Sequence, residues 1–310
     1  MLIKGKPFMN VMRRKVIKLG KNSLLVSLPS SWVKKHGISK GDEVVLEEKD
    51  ETLVLGTAST PQGKKASIDV TNLQPAIKRA LGALYKKGYD EFTVHFADHD
   101  ELETAYEVVR EELTGFEVVQ HGKNHLVVRE VSQPHADQFD VMLRRQFLVI
   151  KDFAKEVGSA LENNDHAWLR RLTLRDKDVN KLADFCSRLI SKQQASSAAG
   201  MYTIVEQLEK LSDRYRDISA YAAQHGLAPG KAFLQAYEGV EQYVDEFYKC
   251  FYQFSLPAMR AFIARKPELL ALLEKARERA SPGEQRLLFW LEDITEKAFD
   301  LNGPLMLLRL

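Results

Sequence analysis

The chain has 310 residues, 45 of them Lys or Arg against 43 Asp or Glu, and is 45% hydrophobic and 28% charged. That composition suits a water-soluble protein of two or three domains with real cores. No run of eighteen apolar residues occurs, which excludes a membrane-spanning helix and predicts no membrane insertion. The start, Met1 to Pro7, lacks the apolar core of a signal peptide. Cys186 and Cys250 fall in helical patterns far apart, with no disulfide or zinc framework. The expected place is the cytoplasm.

Charge is uneven along the chain. The whole is +2 and residues 1–40, with ten Lys and Arg and no Asp or Glu, are +10, which leaves −8 for residues 41–310. A basic head on an acidic body points to a polyanionic partner for the head. Residues 1–12 are a short basic arm. Lys4 and Lys6, with Arg13 and Arg14 just after, track phosphates in one reading; a disordered end is the other.

Residues 13–56 read as strand, turn, strand, short helix, strand, turn, strand. Val16, Ile17 and Leu19 form the first β-rich run, and Gly20 to Ser23 supply turn chemistry. Leu24 to Leu28 form the second strand, ended by Pro29. Ser30 or Ser31 caps a helix carrying Trp32 and Val33, and Gly37 closes it. Gly41-Asp42 opens the third strand, and Asp50-Glu51 turn it into the fourth. Four strands this short cannot bury a core alone, so the segment asks for a partner chain.

This ordered set resembles the SpoVT/AbrB swapped-hairpin DNA-binding domain. The resemblance covers about forty residues without a gap. It rests on the basic first strand, the Gly20-Lys21-Asn22-Ser23 turn, the strand end at Pro29, the helix, and the Gly41-Asp42-Glu43-Val44 start. It implies a homodimer of interleaved hairpins offering basic loops to double-stranded DNA. The DNA-contacting candidates are Arg13, Arg14, Lys15, Lys18, Lys21, Asn22 and Ser23. Lys18 alternates away from Ile17 and Leu19. Arg reads guanine edges bidentately, whereas Lys mainly meets phosphates. Asn22 either reads a base or serves the turn, and Trp32 is expected in the core.

Residues 56–65 read as a linker. Residues 66–131 follow the order βαβαββ, predicting a small α+β domain with helices on one face. Asn72 and Pro75 mark the start of its first helix. Its role stays open between spacer, effector site and second dimer contact. His121 and His125 flank a turn, which argues against a metal there.

From Gln133-Pro134 onward the pattern is helical. One apolar stripe runs from Phe139 to Leu161, Asn163-Asn164-Asp165 breaks it, and helices carrying Leu182 to Ile190 and Ile204 to Ala222 follow. Gly226 to Gly230 is the next break. The plan then repeats. A long helix runs from about Lys231 to Arg265, a shorter one from Glu268 to Ala280, and a third from Glu284 to about Leu301. Two three-helix bundles, 135–226 and 230–310, make an internal duplication. The whole is an α+β multidomain chain.

The helical half resembles the PhoU family of phosphate-uptake regulators, whose tandem three-helix bundles carry Glu or Asp followed four residues later by Asp. Leu208-Glu209-Lys210-Leu211-Ser212-Asp213 matches the first motif. Leu291-Glu292-Asp293-Ile294-Thr295-Glu296 matches the second, with Glu296 in the aspartate position. The pairing with the basic head is similar to archaeal PhoU-like regulators. The resemblance implies metal at these motifs. Each pair shares one helix side, roughly 140–180° from its apolar stripe. Like charges there repel by roughly a few tenths of a kcal/mol, which a cation relieves. Oxygen-only ligands suit magnesium, calcium, manganese or iron. The candidates are Glu209, Asp213, Glu292 and Glu296, with Glu206, Asp217 and Asp300 completing a shell. The alternative is a solvated face with Lys210 and Lys297 as ion-pair partners.

No phosphate-binding loop with Lys-Ser or Lys-Thr, nucleophile elbow or His-Glu-x-x-His occurs, so no enzyme is expected. The leading reading is a dimeric DNA-binding transcription regulator of phosphate homeostasis. One rival is a signalling adaptor docking on a phosphate transporter or sensor kinase, with the head used for dimerisation. Another is an antitoxin, against which the long helical tail argues.

Overall fold

The computed structural model describes residues 12–19, 23–49, 52–57, 63–132, 138–193 and 198–310. The arm 1–11, the turn residues Gly20, Lys21 and Asn22, the Asp50-Glu51 turn, linker residues 58–62, Gln133-Pro134 and the Ser196-Ser197 bend lie outside them. The chain divides into two compact units, Met1–Gln62 and Gly63–Leu310.

In the first unit, β1 (Ile17–Leu19) pairs with β2 (Ser23–Leu25), α1 spans Ser30–His36, and β3 (Val44–Lys49) pairs with β4 (Thr52–Thr57). Both pairs are antiparallel and form separate two-stranded sheets. The second strand is shorter than the expected Leu24–Leu28. The expected serine cap is corrected too. Pro29 takes the cap position and no side chain caps α1, since Ser30 is already its first residue. Gly37 ends the helix in the left-handed region at φ 64°, as its lack of a Cβ allows.

The second unit begins with the predicted βαβαββ domain. Its sheet runs β5-β6-β8-β7, from β5 (Lys65–Asp69), β6 (Glu91–His95), β7 (Phe116–His121) and β8 (His125–Glu130). Only β5 and β6 are parallel, as the crossover through α2 (Ile77–Lys86) requires. Alternation in β6 buries Phe92 and Val94 against α2 and α3 (His99–Glu111). Asp98 caps α3 by accepting from the Glu101 amide. Asn72 does not cap α2; it lies in a turn at φ 57°, its amide donating to Glu101 Oε1 at 2.6 Å.

Eight helices follow: α4 (Gln138–Glu162), α5 (His166–Leu172), α6 (Arg175–Gln193), α7 (Ala198–His225), α8 (Lys231–Tyr252), α9 (Leu256–Arg277), α10 (Pro282–Asp300) and α11 (Asn302–Arg309). The expected break at Pro267 is wrong. The chain turns at Gln253 to Ser255, where Ser255 accepts from the Ala258 amide, and Pro267 sits inside α9. The short helices α5 and α11 were not foreseen. The expected stop at Asn302-Gly303-Pro304 is instead the first turn of α11, where proline is tolerated. The two repeats do not bury separate cores. One apolar cluster runs from Leu143 on α4 to Leu305 on α11. Tyr237 on α8 crosses to α4, donating to the Ala154 carbonyl at 2.6 Å. A Cβ on Gly158 would meet the Tyr237 ring at 2.7 Å, so glycine makes that crossing possible.

The α+β domain and the helices join at Arg188 on α6, whose side chain is 1% exposed. Its guanidinium donates to the carbonyls of Tyr85 (2.9 Å) and Tyr89 (2.7 Å) and meets Glu130 at 3.0 Å and Asp90 at 3.2 Å. The Tyr85 and Phe116 rings lie against it. Lys192, one turn on, holds Glu130 and Asp90 as well. Truncating Arg188 leaves Glu130 buried and short of its main partner. Arg188→Ala is expected to lower unfolding stability by about 3–5 kcal/mol. Urea denaturation followed by circular dichroism measures it, and a loss below about 1 kcal/mol, the scale of a surface pair, contradicts this role.

Candidate functional site

Of the predicted DNA-contacting residues, Arg13, Arg14, Lys15, Lys18 and Ser23 are all exposed. Arg13, Arg14 and Lys15 lead into β1, and Lys18 lies opposite Leu24 in the hairpin. Ser23 opens β2 opposite Leu19. Lys21 and Asn22 are outside the described residues. The segment leading into β1 and the strand itself thus carry four cations along about 17 Å of extended chain.

The same hairpins expose apolar side chains. Leu24 is 71% exposed, Leu53 71% and Leu46 61%, and Val16, Ile17, Leu19 and Val26 are exposed too. No residue of 12–57 whose side chain is described is buried, Trp32 included, which is only half-buried against His36. Exposed apolar side chains in this number favour cover by another chain.

The acidic motifs lie on α7 and α10, and their carboxylates are held by the protein's own cations. Asp213 meets Arg216 through Oδ1 at 2.6 Å and Lys210 through Oδ2 at 3.2 Å. Glu209 meets Lys210 at 2.6 Å. Arg216 also reaches Asp176 on α6 at 2.7 Å and Asp217 at 3.0 Å. The buried Asp176 takes a further bond from Ser212 at 2.8 Å. Arg214 joins Asp217 to Asp293 on α10, which Lys297 also meets. Glu292 pairs with Arg277 and Glu296 with Lys266, both at 2.6 Å. Glu206 pairs with Lys86 at 3.5 Å, and Asp300 is exposed at the end of α10.

Glu209 and Asp213 are more covered than a solvated face implies, because α2 and α6 pack near this stretch of α7. Burial pushes the Glu209 carboxyl up despite the Lys210 ammonium. Among the described residues, no three His, Cys, Asp or Glu side chains gather as metal ligands. A metal would have to displace two charged donors from Asp213 alone. The residues present do not fit a metal ion in this arrangement. Sequence reasoning named Lys210 and Lys297 as ion-pair partners, and both pair with acids, but it missed Arg214 and Arg216, which stand in the motif itself.

Comparison with known proteins bears on the first unit. Residues 17–67 match the family model for antidote-toxin recognition MazE, bacterial antitoxin. The N-terminal domain is thus of the MazE/AbrB antitoxin-like type. No curated protein matches the chain. Two solved PhoU-like proteins of Shewanella oneidensis MR-1 are similar in structure at 12% identity. One covers 55% of this chain and 98% of its own with a TM-score of 0.33. The other covers 58% and 99% with a TM-score of 0.34. Neither likeness is close enough to carry function across.

If the motifs serve as ion-pair clamps, divalent cations have nothing to stabilise. The thermal midpoint is expected to stay within about a degree on adding millimolar manganese or magnesium, or after chelation. Differential scanning fluorimetry checks this, and a rise of several degrees with one metal would restore the metal assignment.

Proposed function

We propose that this chain, with its MazE/AbrB-type N-terminal domain, is a homodimeric DNA-binding transcription regulator whose helical part senses phosphate status. The observation that carries the reading is the first unit's surface. A row of exposed cations at the first hairpin stands beside apolar side chains that only a second chain can cover. A dimer that covers these apolar side chains also brings two sets of the cations together. Arg13, Arg14, Lys15, Lys18 and Ser23, with Lys21 and Asn22 between the two strands in sequence, then meet phosphates and base edges. The phosphate assignment rests on the PhoU-type motifs at Glu209/Asp213 and Glu292/Glu296. No membrane-spanning helix is found among the described residues, and the proposed place is the cytoplasm. No catalytic role is proposed.

The antitoxin reading shares the head. The long helical unit Gly63–Leu310 favours a regulator over it. The adaptor reading uses the same dimer and differs in leaving the cations without DNA to bind.

Dimerisation is tested by Leu25→Asp, on the strand face away from Lys18, with Leu46→Asp. The pair is expected to raise the dimer dissociation constant by a hundredfold or more, about 3 kcal/mol, read by analytical ultracentrifugation. A dimer of unchanged strength places the interface elsewhere. DNA binding is tested by selecting sheared genomic DNA at physiological salt, since a basic surface binds any duplex when salt is low. The wild type is expected to recover a few upstream regions, and Arg14→Ala with Lys18→Ala to lose them while staying dimeric. Recovery of no preferred fragment by an intact dimer would transfer the case to the adaptor reading.

A further inference from the structure

A cleft of about 490 Å³ lies within the second unit, between α2 and the end of α3 on one side and α6 and α7 on the other. Its two ends are built differently. At one end the walls are locked together. Arg188 on α6 donates to the Tyr85 and Tyr89 carbonyls and meets Asp90 and Glu130, and Lys192 meets the same two carboxylates. Gly88 lies tight against Lys192: a Cβ there would meet its Cγ at 3.1 Å and its backbone nitrogen at 3.9 Å. From this lock α2 and α6 run back towards their first turns, which bring Lys78 and Arg79 to one wall and Lys177 to the other.

Away from the lock the walls touch lightly. A Cβ on Gly82, halfway along α2, would stand in open space with nothing within 4 Å. Lys86 sits between two carboxylates, Asp184 on α6 at 3.4 Å and Glu206 on α7 at 3.5 Å, long distances that favour neither partner. At the far end Lys177 on α6 reaches across to Glu111 at the end of α3, at 3.3 Å, with side chains 68% and 45% exposed. Glu111 also meets Arg110 at 3.5 Å, so Lys177 has a competitor. Exposed pairs of this kind hold weakly, and salt screens them. Among the described residues, the apolar cluster of the α+β domain and that of the helices share no member.

We propose that the α+β domain swings on the helices about the Arg188 end, opening and closing the cleft, with Lys177–Glu111 as a latch that salt releases. A buried network at one end and exposed pairs at the other make a hinge, because displacement is costly at the buried charges and cheap at the mouth. Swinging about the lock keeps Glu130 paired, while the mouth loses only a screened contact. Lys86 passes from one carboxylate to the other as the angle changes. The hinge lies wholly within Gly63–Leu310, so it does not depend on the DNA reading of the first unit.

The test is pulsed electron double resonance on the full chain with two spin labels, diluted with unlabelled chain so that each distance lies within one protomer. Glu107→Cys with Asp178→Cys, both exposed, spans the mouth one turn from Glu111 and beside Lys177. Lys87→Cys with Ser191→Cys spans the lock. The unsubstituted chain, whose two cysteines are buried, is the labelling blank. Raising salt from about 0.05 M to about 1 M is expected to lengthen the mouth distance by several ångströms and to leave the lock distance unchanged. Glu111→Gln with Lys177→Gln is expected to give the long distance at low salt. Thermal melts check that each variant folds, and the salt comparison carries the test alone should the glutamine variant fail to fold. A mouth distance that ignores salt, or an equal change at both positions, would overturn the hinge.

Discussion

Arg188 must find a partner for every face of its guanidinium, because it is almost wholly buried. It finds them all on the α+β domain while standing on α6: two backbone carbonyls near the end of α2, two carboxylates, and two aromatic rings. Its nearest carboxylate, Glu130, is itself buried. The domain and the helices cannot separate without stranding charge in an apolar setting. That constraint explains why Gly63–Leu310 is one unit despite two apolar clusters. It also positions α2 beside α6, and the cleft between them exists because of that docking.

The two units solve the burial problem in opposite ways. The second encloses its own apolar side chains, and its carboxylates find cations within the same fold. The first cannot, because two three-residue strands and two six-residue strands supply too little area. Its leucines and valines stay exposed beside a run of cations. Exposed apolar side chains in that number favour association with another chain, which is the ground of the dimer proposed above.

Strong local signals were legible in the sequence. Alternation at Phe92 and Val94, Gly37 after α1 and the apolar stripe of α4 each stand in a few neighbouring residues, and each recurs in the structure. What was not legible depends on distant contacts. Pro267 reads as a break, yet helix packing keeps it within α9, and the actual turn at Ser255 has a weaker signature. Helices α5 and α11 are too short to display a period. The single shared core of the tandem helices rests on pairings such as Tyr237 with Ala154, separated by 83 positions. Arg188 is an ordinary helix residue until Glu130 is placed beside it. The candidate DNA-contacting residues of the head came from an ordered motif, and the structure adds that Arg13, Arg14, Lys15, Lys18 and Ser23 are exposed.

The acidic pairs show how one spacing serves two chemistries. Carboxylates four apart on a helix share a side whether a metal or a cation holds them. The deciding information lies in the intervening residues. Within Asp213-Arg214-Tyr215-Arg216-Asp217, Tyr215 points into the core and the two arginines fall on either side of the acids. Arg216 reaches back to Asp213 and across to Asp176, and Arg214 reaches across to Asp293. Each guanidinium thus joins α7 to a neighbouring helix, α6 or α10. Planar bidentate donors suit that task better than a single ammonium. A metal would bind these carboxylates only by releasing the arginines, which would loosen the contacts of α7 with both helices. On this geometry the motif clamps the helices together, and any sensing by them runs through the strength of the clamp.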